Sequence, residues 1–78
     1  MINDICSVGQ MVSEIRKRLM AYNVPMSIDY SMGGDVVICE LRHSSTGALV
    51  NVWFARWGSD VLAMMKSDAN IAAWLSWP

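Results

Sequence analysis

Residues 26 to 43, MSIDYSMGGDVVICELRH, decide the fold, because they read as two β-strands joined by a short turn. Apolar and polar residues alternate on both sides of Gly33 and Gly34, and a glycine pair between such segments predicts a β-hairpin. With Met32 opposite Asp35, one face of the hairpin becomes apolar. The apolar face then pairs Met26, Ile28 and Tyr30 with Leu41, Cys39 and Val37. The stretch therefore predicts a half-buried antiparallel sheet over residues 26–32 and 35–42.

A third strand is predicted over residues 48 to 56, after a loop around Ser44–Gly47. Loop length sets the register of a hairpin, and a four-residue loop brings His43 opposite Ala48. This register continues the apolar face through Val50, Val52 and Phe54. A loop one residue shorter or longer would put these side chains on the polar face, which a one-sided core disfavours.

One helix is predicted before the sheet, over about residues 8 to 22, because apolar residues recur there at helical spacing. Ser7–Gln10 has the form of a capping box, and Cys6 with Met11 could form a hydrophobic staple. Val24–Pro25 would end the helix, since the residue before a proline favours extended geometry.

A second helical region is predicted after the sheet, with Ser59 or Asp60 as its cap. The polar stretch around Asp68 leaves two alternatives open: one helix crossed by a polar patch, or a second short helix capped by Asp68. The apolar tail 74–78 is expected to dock on the rest of the protein. Residues 1–78 thus predict a single small α+β domain, a two-layer αβββα sandwich with its helices on the apolar sheet face.

Composition favours a folded protein, since the 78 residues are 54% hydrophobic and 17% charged with a net charge of -1. Two cysteines are too few for a disulfide scaffold, which indicates a reducing, cytoplasmic setting. The N-terminus lacks the basic region of a signal peptide, and no apolar run approaches the roughly 20 residues of a membrane-spanning helix. We therefore expect no membrane association, and no motif predicts a cofactor.

The sheet face opposite the helices is the predicted binding site. In the predicted register Ile38 lies opposite Trp53 on this face, with Asp29, Glu40 and Asn51 as a polar rim. An exposed aromatic pair with a polar rim is typical of a protein-binding patch, and Trp is enriched among residues that carry binding energy. The expected partner is another protein or a second copy of this chain. The alternative is that the C-terminal segment or another copy covers this face as ordinary core.

Nucleic-acid binding is the alternative function. Its candidate contacts are the basic residues Arg16, Lys17, Arg18, Arg42 and Arg56. The Arg16–Arg18 charges spread over a helix surface and acids offset them elsewhere in the chain, so a solvated face is the simpler interpretation.

No catalytic or metal site is predicted. A set of Cys6, Cys39 and His43 would need three separate elements to converge on one zinc ion. The predicted register buries Cys39, which suppresses its thiolate. Ser44 and Ser45 lie beside His43 but lack a third, orienting group. We therefore expect a protein without enzymatic activity.

The predicted order of helix, three strands and helix resembles the double-stranded RNA-binding domain, and Asn23-Val24-Pro25 is similar to that family's entry to its sheet. The resemblance implies RNA binding through a lysine cluster at the start of the second helix, where this chain has Gly58-Ser59-Asp60. That family's groove-reading histidine lies in the first hairpin loop, whereas His43 lies in the second. These departures disfavour RNA binding in the manner of that family.

The overall profile also resembles that of small, catalytically empty bacteriophage proteins that block host machinery, anti-CRISPR proteins among them. The likeness is one of profile rather than motif. It implies an inhibitor that occupies a surface of a larger complex through its open sheet face.

Overall fold

A computed structural model describes residues 2–76 of the chain, with side chains from residue 7 onward. The elements in chain order are α1 (Ile2–Ala21), β1 (Met26–Gly33), β2 (Val36–His43), β3 (Leu49–Ala55), α2 (Gly58–Lys66) and α3 (Ala69–Leu75). The strands form one antiparallel sheet in the order β1-β2-β3. The α+β order αβββα is therefore confirmed, with the C-terminal helix in two pieces.

The core lies between the sheet and the helices. α1 contributes an apolar stripe at helical spacing, Val8, Val12, Ile15 and Leu19. The other buried apolar side chains are Ile28, Val37, Cys39, Leu41 and Trp53 of the sheet and Val61, Met65, Ile71 and Trp74 of the last two helices. Burial on one face of each strand leaves the opposite face of the sheet open.

α1 begins at Ile2, so Ser7 lies inside the helix and the predicted capping box is wrong. The predicted staple involves Cys6, whose side chain lies outside the described residues. Gly9 lies where α1 crosses β1, and a Cβ atom there would come within 2.8 Å of the Tyr30 hydroxyl. A glycine at this position of α1 therefore permits the close approach of the helix to the sheet.

α1 ends in a Schellman motif centred on Asn23, which has a φ of 55°. The Val24 N–H donates to the Leu19 carbonyl at 2.9 Å, and the Asn23 N–H donates to the Met20 carbonyl at 3.2 Å. Asparagine tolerates the left-handed conformation better than most residues. The conformation of Asn23 thus ends the helix before Pro25 is reached.

The turn of the first hairpin is Gly34–Asp35, one residue later than predicted. Gly34 has a φ of 69°, and Asp35 is not among the residues with positive φ, which is the pattern of a type II′ turn. Gly33 pairs with Val36 across it. The register is displaced by two residues, so the predicted cross-strand partners were wrong. Because the side-chain period of a strand is two, the predicted faces were right.

The second loop has the predicted length. The His43 N–H donates to the Ala48 carbonyl at 2.9 Å, and the Gly47 N–H donates back to the His43 carbonyl at 2.8 Å. The register at this end of the second hairpin is therefore the predicted one.

A β-bulge then changes the register of β3. Pairing passes from Arg42 opposite Leu49 to Leu41 opposite Asn51, which leaves Val50 as an extra residue. An extra residue turns every later side chain of the strand to the other face.

The bulge exchanges the faces of Trp53 and Phe54. Trp53 lies opposite Cys39 and is 5% exposed, whereas Phe54 lies opposite Ile38 and is 58% exposed. The predicted pairing of Ile38 with Trp53 on the outer face was therefore wrong. The predicted inner set of Val50, Val52 and Phe54 was wrong for the same reason.

The C-terminal part forms two helices, which decides between the two predicted alternatives. α2 follows Trp57 as its N-cap without a side-chain bond, so the predicted caps Ser59 and Asp60 were wrong. Asp68 caps α3, since its Oδ1 accepts from the N–H groups of Asn70 and Ile71 at 2.9 and 3.3 Å. Trp74 packs into the core. Residues 77 and 78 of the predicted docking tail lie outside the described residues.

Replacing Trp53 should destabilise the protein far more than replacing its neighbour Phe54. Trp53→Ala leaves a cavity in the core and should lower the free energy of unfolding by about 3–5 kcal/mol. Phe54→Ala should lower it by about 1 kcal/mol or less, since a surface substitution leaves no cavity. Urea unfolding followed by circular dichroism measures both. Equal losses, or a larger loss for Phe54→Ala, would contradict the observed register.

Removing the α3 cap should cost about 1 kcal/mol of unfolding free energy. Asp68→Ala removes the acceptor for two helical N–H groups and the contact from Asn51. Asp60→Ala is the matched control, since Asp60 is an acid in the first turn of α2 without a capping role. The midpoint temperature of thermal unfolding should be clearly lower for Asp68→Ala than for Asp60→Ala. The reverse order would show that the cap contributes nothing.

Candidate functional site

The candidate site is the outer face of the sheet, on the side away from the helices. We call it the open face. Its side chains are Ser27, Asp29 and Ser31 of β1, Val36, Ile38, Glu40 and Arg42 of β2, and Val52 and Phe54 of β3. Each of them is exposed or half-buried, whereas their inward neighbours on the central strand are buried. No helix covers this side of the sheet within residues 2–76.

The centre of the open face is apolar. Phe54 lies directly opposite Ile38, and Val52 follows on the same side of β3. Gly33 leaves room beside this pair, since a Cβ atom there would come within 3.0 Å of the Ile38 Cδ1 atom. An aromatic residue against a β-branched residue is a favourable cross-strand pair, and here it is accessible to a partner.

Beside the apolar centre lies an ion pair on β2. The Arg42 Nη2 atom is 2.6 Å from Glu40 Oε2, and its Nη1 donates to the Gly47 carbonyl at 2.9 Å. Both side chains are half-buried, so the pair fixes the position of the guanidinium on the face. The rim beside Ile38 is therefore polar but carries no net charge.

A second ion pair joins α1 to the edge of the sheet. Arg16 forms an ion pair with Asp29 through Nη2 and donates from Nε to the Ile28 carbonyl at 2.9 Å. The two residues were predicted in different sites, and the structure brings them together. They lie at a groove of about 560 Å³ whose apolar lining is Leu19, Met20, Val24, Met26 and Ile28.

Two predicted face residues lie elsewhere. Trp53 is in the core, and Asn51 lies at the bulge. The Asn51 Nδ2 donates to Asp68 Oδ2 at 3.0 Å, and its Oδ1 accepts from the Val52 N–H at 2.9 Å. The residues that do lie on the open face are Ile38, Asp29 and Glu40. Phe54 and Val52 were not predicted on this face, because only the unpredicted bulge turns them outward.

The five candidate nucleic-acid contacts do not form one cationic surface. Arg18 donates from Nη1 to the carbonyls of Trp74 and Leu75 at 3.2 and 3.0 Å, at the end of α3. Lys17 lies 3.5 Å from Glu14, and Arg56 lies 3.0 Å from Asp35. Together with the ion pairs of Arg16 and Arg42, every one of these cations is beside an acid or a carbonyl. Four of the five cations therefore lie beside a carboxylate, and Arg18 is held by backbone carbonyls.

The Cys39 thiol is buried between the sheet and the helices. Burial raises the pKa of this thiol from about 9.0 to about 12, and the nearby Arg16 lowers it only in part. A thiol with so high a pKa is almost entirely protonated at neutral pH and is a poor nucleophile. His43, Ser44 and Ser45 are exposed in the second loop. Among the described side chains, no three His, Cys, Asp or Glu residues cluster as a metal site would require.

Between residues 2 and 76, no helix is both long and apolar enough to cross a membrane. No family model, characterised protein or solved structure matches this chain.

Stability should fall as the pH rises through the interval between 9 and 12, because Cys39 ionises in the unfolded chain first. The unfolded state then binds fewer protons than the folded state, so the contribution of the neutral thiol is fully present below pH 9 and is lost above it. The loss is at most about 1.4 kcal/mol per pH unit.

Urea unfolding at neutral and alkaline pH measures this effect in a Cys6→Ser background, where Cys39 is the remaining thiol. The matched control adds Cys39→Ala, which keeps every other titrating group. The difference in unfolding free energy between the two proteins should shrink as the pH rises. A difference that stays constant would contradict the raised pKa.

Proposed function

We propose that this chain is a non-enzymatic protein-binding module that uses the open face around Phe54 and Ile38. The observation that carries this proposal is the 58% exposure of Phe54, opposite Ile38, on a sheet face that no helix within residues 2–76 covers. Covering a Phe side chain is worth about 1.5–3 kcal/mol when it passes fully from water to an apolar contact. A partner surface that covers Phe54, Ile38 and Val52 would gain a substantial part of that energy.

The polar groups around this centre favour a protein partner. Arg42 with Glu40 and Arg56 with Asp35 are neutral pairs near the apolar residues. An apolar centre with a hydrogen-bonding rim matches the composition of protein interfaces. Because the rim has no excess of either sign, it attracts neither a polyanion nor a strongly basic partner.

The same charges argue against the nucleic-acid alternative. Affinity for nucleic acid rests on cations that replace the counterions of the phosphates. Here Arg16, Arg42 and Arg56 would each have to leave a carboxylate before binding a phosphate. We therefore place protein binding ahead of the alternative that uses Arg16, Lys17, Arg18, Arg42 and Arg56.

The mode of action we propose is occupation of a surface on a larger protein complex, in the manner of a small phage-type inhibitor. Such action needs a rigid scaffold and an accessible patch, and it needs no reacting group. The sheet provides the scaffold, since the inner faces of all three strands pack against one core. Neither the buried Cys39 thiol nor the exposed loop around His43 forms an arrangement of groups that would suit catalysis.

Replacing Phe54 with serine should weaken partner binding by at least tenfold, equivalent to about 1.4 kcal/mol or more. Met64→Ser is the matched control, since Met64 is 41% exposed on α2, which packs on the other side of the sheet. The immobilised protein captures its partner from an extract of the cells in which the chain is made, and titration calorimetry with the purified partner gives the dissociation constants. Thermal unfolding checks that both variants remain folded.

Equal affinity of wild type and Phe54→Ser would overturn the proposal, as would a loss of the same size in Met64→Ser. A mobility shift of duplex RNA that weakens steeply with salt would favour the alternative instead. Such a shift should be lost in Arg42→Ser and unaffected in Phe54→Ser.

A further inference from the structure

We propose that the groove between α1 and β1 binds a small uncharged molecule that has an apolar body and one amide group. This goes beyond the proposed function, because the ligand is a small molecule and its site includes neither Phe54 nor Ile38. Three features of the groove support it: the apolar lining, the ion pair at one end and the balance of charge.

The groove is formed where the chain reverses between the end of α1 and the start of β1. Its base is the buried pair Leu19 and Ile28, and its walls are Met20, Val24 and Met26. Its volume of about 560 Å³ lies in the range of about 300–1,000 Å³ that is usual for small-molecule pockets. The groove therefore has the size and the lining to hold the apolar body of a small ligand.

Two methionines make the apolar wall adaptable. Met20 is 79% exposed on α1, and Met26 is half-buried at the start of β1. Unbranched thioether side chains adjust to irregular shapes and fill gaps. A ligand in the groove would cover part of the apolar surface that Met20 now exposes to water.

The ion pair of Arg16 with Asp29 lies at the end of the groove farthest from the chain reversal. The guanidinium is fixed twice, because Nη2 binds Asp29 Oδ1 and Nε donates to the Ile28 carbonyl at 2.9 Å. Within residues 7–76, no group is bonded to Arg16 Nη1 or to Asp29 Oδ2. One positioned donor and one acceptor therefore remain for a ligand.

The charges of the groove favour an uncharged ligand. Arg16 and Asp29 are the charged residues of its lining, and Asn23 and Ser27 are the other polar ones. A ligand carboxylate on Arg16 would lie beside Asp29, and a ligand ammonium on Asp29 would lie beside Arg16, so either ion meets a like charge. A primary amide avoids both repulsions, since its carbonyl accepts from Arg16 Nη1 and its N–H donates to Asp29 Oδ2.

Three compounds with the same apolar body test the ligand class on the wild-type chain: 4-phenylbutanamide, 4-phenylbutanoate and 4-phenylbutylamine. NMR titration at neutral pH gives their dissociation constants. The amide should bind at least tenfold more tightly than either ion and should shift the methyl signals of Met20 and Met26. A smaller preference, tighter binding of an ion, or no saturable binding of the amide would overturn the proposal.

Asp29→Asn tests the role of the ion pair, and its side chain is 80% exposed, so the fold should tolerate the change. Without the carboxylate, Arg16 can bind an anion with no like charge beside it. The variant should therefore bind 4-phenylbutanoate at least tenfold more tightly than the wild type does. An unchanged affinity for 4-phenylbutanoate would overturn the proposed role of charge.

Met20→Ser locates the compound in the groove. It should weaken binding of 4-phenylbutanamide by about threefold or more. Met64→Ser is the matched control, since Met64 is exposed on α2 and does not line the groove. Equal losses in these two variants would contradict binding in the groove. A loss in Phe54→Ser without one in Met20→Ser would place the compound on the open face and overturn the proposal.

Discussion

The extra residue Val50 determines which side chains of β3 enter the core. Before the bulge Arg42 faces Leu49, and after it Leu41 faces Asn51, so the rest of the strand is turned over. The bulge buries Trp53, whose side chain is among the largest available to a small core. It leaves Phe54 on the open face. Both the composition of the core and the chemistry of the candidate site therefore depend on this one residue.

The bulge also connects β3 to the C-terminal helices. It places Asn51 where its amide reaches Asp68, the residue that caps α3. The same amide accepts from the backbone of Val52, so one side chain protects a sheet edge and helps to position a helix start. Arg16 has a comparable role at the other edge, where it occupies the Ile28 carbonyl. Each edge of the sheet thus has one backbone group held by a side chain, and the outer face is neutral because its arginines are paired with acids.

Part of the candidate site could be predicted from the sequence. The first hairpin keeps the same apolar face when its register shifts by an even number of residues. Ile38, Glu40 and Asp29 were therefore placed correctly on the outer side. The faces of Trp53 and Asn51 could not be predicted, because both sets of alternating residues in β3 contain apolar side chains. Either face of β3 satisfies a period-two pattern, and the pattern contains no signal for a bulge. The ion pair of Arg16 with Asp29 joins residues on different elements, so no local spacing predicts it.

The sequence by itself determined the order of the elements, the inner and outer faces of the first hairpin, and the position of the polar stretch around Asp68. These features depend on neighbouring residues, whose periodicity and turn chemistry are local properties. Only the tertiary structure decided the register of β3, the faces of Trp53 and Phe54, and the pairing of the arginines. The physical reason is that a core of this size accepts one arrangement of large side chains, and the choice between Trp53 and Phe54 is made by packing in the single core that the sheet shares with the helices.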